Sequence, residues 1–338
     1  MSCFKIRNLV GVLFVLLIGA SQAMGAMAGR KIVIAHGVMT ANALPLWIAK
    51  EQRFFDKHGV MAETVVVPGT PIVIAGLVSG DIQLGYTGGT GVVGGVAGGA
   101  DLKTVATFFN TEALRIITRP DIKRTEDLRG KRLGVQSVGG ANWMMTMLAL
   151  EQIGLAPERD KIQVINIGGT PRRAQALEAG SIDFTILTDA SFVNGLKRKG
   201  FRLHGDFPPV PFTSLGVVVE KGYRDRHGDV IESALKALVE AVAFAVSPRN
   251  KHLTIDVLAK WLKISAASAE ASYEEFVKEV ERKPYTVMDG LKNIQRLMAL
   301  HNLEAGKIEL RDVVDNSFIE KLDHSGFLDR LQSIYGVR

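Results

Sequence analysis

Gly69-Thr70-Pro71, followed by Leu77, Gly80 and Ile82, recurs as Gly169-Thr170-Pro171, followed by Leu177, Gly180 and Ile182, at a fixed offset of 100 positions. A β-branched run precedes each copy, Val65-Val66-Val67 in the first and Val164-Ile165-Asn166-Ile167 in the second, and a further apolar run follows at residues 82–86 and 182–187. A β-branched run, a Gly-Thr-Pro turn, a helix-length segment closing on glycine and another apolar run read as strand, helix, strand. Proline is tolerated in the first turn of a helix, where its missing N–H has no intrahelical acceptor, and Thr70 and Thr170 are then the expected N-caps. Two copies of one unit predict an α/β protein of two similar three-layer lobes. The cleft between their matching strand-to-helix loops is the expected ligand site.

Upstream of the first copy, residues 32–35 read as a strand, and a helix beginning near Asn42 carries Leu44, Trp47 and Ile48 on one face before closing at Gly59. Downstream, Gly89-Thr90-Gly91-Val92-Val93-Gly94 matches the dinucleotide pattern G-x-G-x-x-G. That fingerprint belongs to the first strand-helix turn of its domain, which this is not. The further glycines Gly88, Gly95, Gly98 and Gly99 point to close backbone packing, in a segment too glycine-rich for a stable isolated helix. Residues 102–109 and 114–118 are the next strands. A short capped helix at residues 125–129, a glycine turn and a strand through Val135 open the second lobe, which repeats the order of the first: strand, polar loop at residues 137–142, helix, then the Gly-Thr-Pro unit. Pro208, Pro209 and Pro211 interrupt the pattern before a strand at residues 215–219, and the remaining chain is mostly helical and expected to pack on the first lobe. The expected division is residues 30–113 with 213–338 as one lobe and residues 114–212 as the other.

Residues 1–28 read as a secretory signal: Lys5 and Arg7, an apolar stretch at residues 9–20, then small residues offering cleavage after Ala23 or Ala28. The protein is accordingly expected in the periplasm. The one cysteine, Cys3, falls inside that signal, so the mature chain has no thiol for a disulfide, an iron–sulfur cluster, a thiolate zinc site or a nucleophile. The formal charge of +6 becomes +4 once Lys5 and Arg7 are removed (6 − 2 = 4), and the basic residues are scattered in runs such as Lys197-Arg198-Lys199 without interleaved aromatics. Nucleic acid is therefore not an expected partner. No histidine pair has metal-ligand spacing, and no metal or cofactor is expected.

Four stretches in order resemble a known family: residues 45–59 (Pro45-Leu46-Trp47 through Phe54-Phe55 to His58-Gly59), Leu77-Val78-Ser79-Gly80-Asp81-Ile82, Asp127-Leu128-Arg129-Gly130-Lys131-Arg132-Leu133-Gly134-Val135, and Leu177-Glu178-Ala179-Gly180-Ser181-Ile182-Asp183. They resemble periplasmic substrate-binding proteins of ABC importers, in the group that takes nitrate, sulfonates, taurine and thiamine pyrimidine precursors. The resemblance covers residues 32–216. It implies a type II binding-protein fold with two crossings between lobes, a small-molecule ligand in the cleft, hinge closure, and permease and ATPase subunits of the importer as partners of a monomeric protein.

Helix N-termini present unpaired N–H groups and the positive end of the dipole, so loops that feed helices suit an acceptor group of a ligand. The candidate contacts are Met39, Asn42 and Thr70 in the first lobe and Ser137, Gly139, Gly140, Asn142 and Thr170 in the second. The strand-end loops add Tyr86, Thr87, Gly88, Thr188 and Asp189. Trp143 reads either as a stacking platform or as core, and Arg172-Arg173, cations at a helix start, either as solvated surface or as a contact for a carboxylate or sulfonate. A small organic anion, a sulfonate or a carboxylate, is the expected ligand, with a pyrimidine-like heterocycle as the alternative. No catalytic residue is expected: the synthase of the thiamine pyrimidine that the family resemblance also brings in depends on cysteines, and no nucleophile elbow, P-loop or carboxylate pair is present. A receptor-docking sensor remains as an alternative to an importer subunit.

Overall fold

The computed structural model of the protein describes residues 30–188, 190–204 and 208–337. Residues 1–28, expected to be a secretory signal, and Asp189 lie outside the described residues.

The first lobe opens with β1 (Arg30–His36), α1 (Leu44–Glu51), α2 (Phe54–Lys57), β2 (Val60–Val66), α3 (Thr70–Ser79), β3 (Leu84–Thr87), α4 (Gly89–Ala97) and β4 (Leu102–Glu112). The second holds β5 (Arg115–Thr118), β6 (Arg132–Val135), α5 (Ala141–Gln152), β7 (Gln163–Asn166), α6 (Thr170–Glu178), β8 (Phe184–Leu187), α7 (Ala190–Arg198) and β9 (Arg202–His204). The chain then returns through β10 (Val210–Glu220) to α8 (Lys221–Arg226), α9 (Gly228–Val246), α10 (Lys251–Leu262), α11 (Ala266–Glu279), α12 (Met288–Ala299), α13 (Ser317–His324) and α14 (Phe327–Tyr335).

The sequence repeat is a repeat of topology. The first sheet has strand order β2-β1-β3-β10-β4 and the second β7-β6-β8-β5-β9. In each, β1 or β6 runs parallel to both of its neighbours, while the strand arriving from the other lobe, β10 or β5, is antiparallel to its neighbours. Two crossings join the sheets, one between β4 and β5 and one between β9 and β10. β10 pairs with β4 from Val210 onward, so residues 210–212 belong to the first sheet, ahead of the boundary expected from sequence.

Gly69 and Gly169 are the N-caps of α3 and α6, and the threonines occupy the first helical position with proline behind them. The expectation that Thr70 and Thr170 cap these helices is corrected accordingly: the turn closes one residue earlier, on a glycine. Residues 89–97 do form a helix, stabilised by packing that compensates its poor propensity. A Cβ on Gly91 would lie 2.4 Å from the Thr70 side chain, so the glycines of α4 let α3 approach, as the dinucleotide-like pattern did not require.

One core cluster packs α1, α2, α9 and α11 on the first sheet through Trp47, Phe54, Phe108, Phe109, Phe244 and Phe276. A second is continuous across both lobes, from Val73 and Val92 through Leu291 and Ile294 to Met144 and Leu148. The helical tail therefore covers the first lobe and also reaches the second. Arg296 of α12 binds Glu151 of α5 through two hydrogen bonds of 2.9 and 2.8 Å.

Glu240 anchors the end of the chain. It is 1% exposed and accepts from Lys57 Nζ (2.6 Å), from the Tyr335 hydroxyl (2.6 Å) and, with His58 donating, from Nε2 at 2.7 Å. Burial pushes this carboxyl up, but the hydrogen bonds from His58, Lys57 and Tyr335 outweigh it and hold it down at about 2. A depressed carboxylate contributes stability that is present above its unfolded value near 4.5 and lost as pH falls towards 2. Glu240→Gln should cost about 2–3 kcal/mol at pH 7, with the difference from the parent shrinking below pH 5, as urea denaturation at several pH values will measure.

Candidate ligand cleft

The parallel strands of both sheets end at the same cleft, and the loops that leave them line it. At the hinge end a cavity of about 230 Å³ is bounded by Thr40 and Asn42 of the first lobe, Thr188 of the second, Glu112 and Ser214 on the strands of the crossings, and Ser272, Glu275 and Glu279 on α11. At the outer end a wider opening of about 850 Å³ lies between Thr70, Ile74 and the glycine face of α4 on one side and Gly139, Gly140 and Ala141 on the other.

Five of the sequence candidates line these cavities, and the others take different places. Asn42 and Thr188 line the hinge-end cavity, and Thr70, Gly139 and Gly140 the outer opening. Thr87 is 4% exposed and shares a hydrogen bond with Thr70 (3.3 Å). Tyr86 is a core residue, fully buried against Phe108, and its hydroxyl donates to the Asn42 carbonyl (2.9 Å), bracing the loop from beneath. Gly88 lies under β10, where a Cβ would come within 2.2 Å of the Ser214 carbonyl. Met39 projects to solvent at 46% exposure and Ser137 is exposed. Trp143 is 7% exposed and meets His301 edge-on at 5.0 Å, which makes it core. The Asn142 amide oxygen is committed within the lobe, accepting from Gln136 N (3.1 Å) and Arg173 Nη1 (2.8 Å). Thr170 accepts from Arg173 Nη2 (3.2 Å). Asp189 lies outside the described residues.

Residues 40–250 match the family described as NMT1/THI5 like. The chain belongs to that family. A Bacillus subtilis protein assigned to aliphatic sulfonate binding is 24% identical over 327 residues, 93% of this chain and 95% of that protein. Among solved structures, the periplasmic aliphatic sulphonate binding protein SsuA from Escherichia coli superposes with TM-score 0.70 at 23% identity, covering 85% of this chain and 92% of that one. The periplasmic nitrate-binding protein NrtA from Synechocystis PCC 6803 does so with TM-score 0.63 at 13% identity, covering 88% and 89%. These structural likenesses establish the two-lobed α/β fold.

The charged groups of this NMT1/THI5-like cleft are ones that sequence patterning did not select. Arg173, left open between surface and contact, is 2% exposed beneath the N-termini of α5 and α6. Its guanidinium donates to Asn142, to Thr170 and to the Gly168 carbonyl (3.5 Å), its Nε has no partner, and burial lowers it to about 10. No carboxylate pairs with it among the described residues. At the hinge end the sign reverses. Arg115, the first residue of β5, binds Glu275 of α11 (2.5 Å) and the Thr188 carbonyl (2.8 Å). Burial raises the Glu112 carboxyl, while the Ser214 hydroxyl that donates to it and the Arg115 charge pull the other way.

Glu279 is raised to about 7 by burial first, then by Glu112 and Glu275, against Arg115 and Lys278. Its folded form holds a proton up to that pH while the unfolded chain releases it near 4.5, so stability declines as pH rises through this window. In the ligand-free protein Glu279→Gln should remove the decline, gaining about 2 kcal/mol over the parent at pH 8 and little at pH 4.5. Chemical denaturation at the two pH values checks it.

Proposed function

We propose that the chain is an extracytoplasmic solute-binding protein that captures a small organic anion between its lobes and delivers it to the permease and ATPase of an ABC importer. The observation that carries this reading is Arg173. An isolated buried charge is unfavourable by several kcal/mol unless a counter-charge compensates it, and here the neighbouring helix ends add positive dipole instead of relieving it. The first N–H groups of α5 and α6 have no intrahelical acceptor, and Gly139 and Gly140 keep side chains out of the approach. An anion held at these helix ends would sit in front of the guanidinium and satisfy both features.

The relatives support that choice, since the Escherichia coli and Synechocystis structures carry the names of binding proteins for sulphonate and nitrate, both oxyanions. Delivery would follow closure about the passages from β4 to β5 and from β9 to β10, with the lobes divided there. The signal-like residues 1–28 fit a location outside the inner membrane, and among the described residues no helix is long and apolar enough to cross one.

Titration calorimetry with alkanesulfonates, carboxylates and nitrate tests the reading. Arg173→Gln keeps donors towards Asn142 and Thr170 but removes the charge. It should weaken anion binding about 10- to 100-fold and flatten its salt dependence, with the ligand-free melting temperature retained. Native affinity in this variant, or no binding of any of these anions to the parent, would overturn the reading.

A further inference from the structure

Charge is unevenly divided between the two lobes. Residues 30–112 and 210–338 carry 24 Lys and Arg against 25 Asp and Glu (24 − 25 = −1), whereas residues 113–209 carry 15 against 10 (15 − 10 = +5). The excess sits at one end of the second sheet. β6 and β7 start side by side, Arg132 beside Gln163, and β8 starts with Phe184 beside Leu133, while the antiparallel β5 finishes there at Thr118, beside the Arg202 that opens β9. Backbone hydrogen bonds continue the row: Arg119 N donates to the Asp183 carbonyl, Asp183 N to the Arg132 carbonyl and Gln163 N to the Lys131 carbonyl. The loops to α5 and α6 leave the other end of these strands, so this end points away from the cleft. Segments 119–132, 156–163, 178–183 and 196–202 meet here and hold 12 cations against 7 acids (12 − 7 = 5), and the rest of the lobe is balanced at 3 against 3. Pairing does not remove the excess. Asp183 holds Arg132 and Arg119, Asp160 holds Arg129 and Arg159, Asp127 holds Arg124, and Glu178 holds Lys199. Lys123, Lys131, Lys161, Lys197, Arg198 and Arg202 form no ion pair among the described residues, and all but the half-buried Lys131 are exposed. Of the acids, Glu126 and Glu158 are left unpaired there. None of the large apolar side chains exposed on the described surface falls in these four segments.

We propose that this end of the second lobe docks on an anionic phospholipid surface. A specific protein partner is held chiefly by buried aromatic and aliphatic anchors near the centre of its interface, and this end offers none. It offers charge alone, mostly the compact and strongly hydrated ammonium groups of lysine, along the end of a five-stranded sheet about 20 Å wide. Fluid headgroups rearrange beneath such a row, and each Lys or Arg close to an anionic leaflet adds its own attraction without needing a shaped pocket. The cleft stays free, because Arg173 and the N-termini of α5 and α6 are at the other end of the same strands. The inference goes beyond the solute-receptor reading and does not depend on which ligand the cleft takes. For a receptor that hands its ligand to a permease, such docking keeps it close to the membrane in which the permease sits.

Co-sedimentation of the exported protein, purified after removal of the signal-like residues, with vesicles of mixed phosphatidylglycerol and phosphatidylcholine or of phosphatidylcholine alone decides it. At about 0.01 M salt, where the screening length is about 30 Å, partitioning onto the anionic vesicles should exceed that onto the neutral ones at least about tenfold, and the difference should shrink at about 0.15 M. The triple variant Lys123→Gln, Lys161→Gln, Lys197→Gln should lose about tenfold or more of this partitioning with the melting temperature unchanged, since none of the three is ion-paired. The control variant Arg249→Gln, Lys263→Gln, Arg311→Gln, three exposed first-lobe cations without an ion pair among the described residues, should stay within about twofold of the parent. Equal losses in the two variants would make net charge responsible instead of this end, and tighter retention by polyglutamate than by vesicles of equal charge would assign the end to an acidic protein. Either result, or indifference to phosphatidylglycerol, overturns the inference and leaves the anion receptor standing.

Discussion

Arg115 stands three residues beyond the end of β4 and in a different sheet from the helix whose Glu275 it grips. The pair bridges the lobes beside the crossing itself, and the same guanidinium holds the Thr188 carbonyl at the mouth of the cavity. If the lobes rotate about the crossings, an ion pair placed beside them would move little. Partly exposed, it contributes modest stability by itself. Its greater effect is geometric: it seats α11 over the hinge, and α11 brings Ser272, Glu275 and Glu279 to the cavity wall. On the first-lobe side, Gly88 lets β10 lie against the β3 loop at the Ser214 carbonyl, and the Ser214 hydroxyl in turn reaches Glu112. The hinge end is thus tied through Ser214 and Glu112 on one side and through Arg115 and Glu275 on the other.

The repeated Gly-Thr-Pro unit carried the topology because a strand-helix-strand unit has few ways to pack, and two of them at equal spacing imply two equivalent sheets. The strand orders of the two sheets bear this out. What local sequence could not decide was which residue closes each turn. Threonine is the better cap by chemistry, yet glycine at positions 69 and 169 accommodates the backbone entering the helix, and Thr70 and Thr170 use their hydroxyls on Thr87 and Arg173 instead. Tyr86 shows the same limit. A strand-end tyrosine reads as a ligand contact until the sheet is seen to bury it against Phe108.

The cleft was legible as a location and poorly legible as chemistry. Loops at strand ends can be found one at a time, so Asn42, Thr70, Gly139, Gly140 and Thr188, which line the cavities, could be named from the sequence. Glu275 and Glu279 arrive from a tail helix more than a hundred residues away from the loop of Gly139 and Gly140. An amphipathic pattern says that such a helix packs, without saying over which end of the cleft. Arg173 was visible as a cation at a helix start, where the dipole disfavours it, and that was the available signal. Its burial goes with its hydrogen bond to Asn142 of α5, a long-range contact that no local pattern records.

Arg173 and Glu112 do not pair with each other among the described residues. Arg173 lies under the loops of β6 and β7, whereas Glu112 ends β4 in the other sheet, and the protein keeps both because each is held by neutral donors and acceptors: Asn142, Thr170 and Gly168 for one, Ser214 for the other. An anion brought to the N-termini of α5 and α6 would meet Arg173, whereas the carboxylates of Glu112, Glu275 and Glu279 at the hinge-end wall would oppose a negative group placed there, so the two ends of the cleft differ in the charge they would accept.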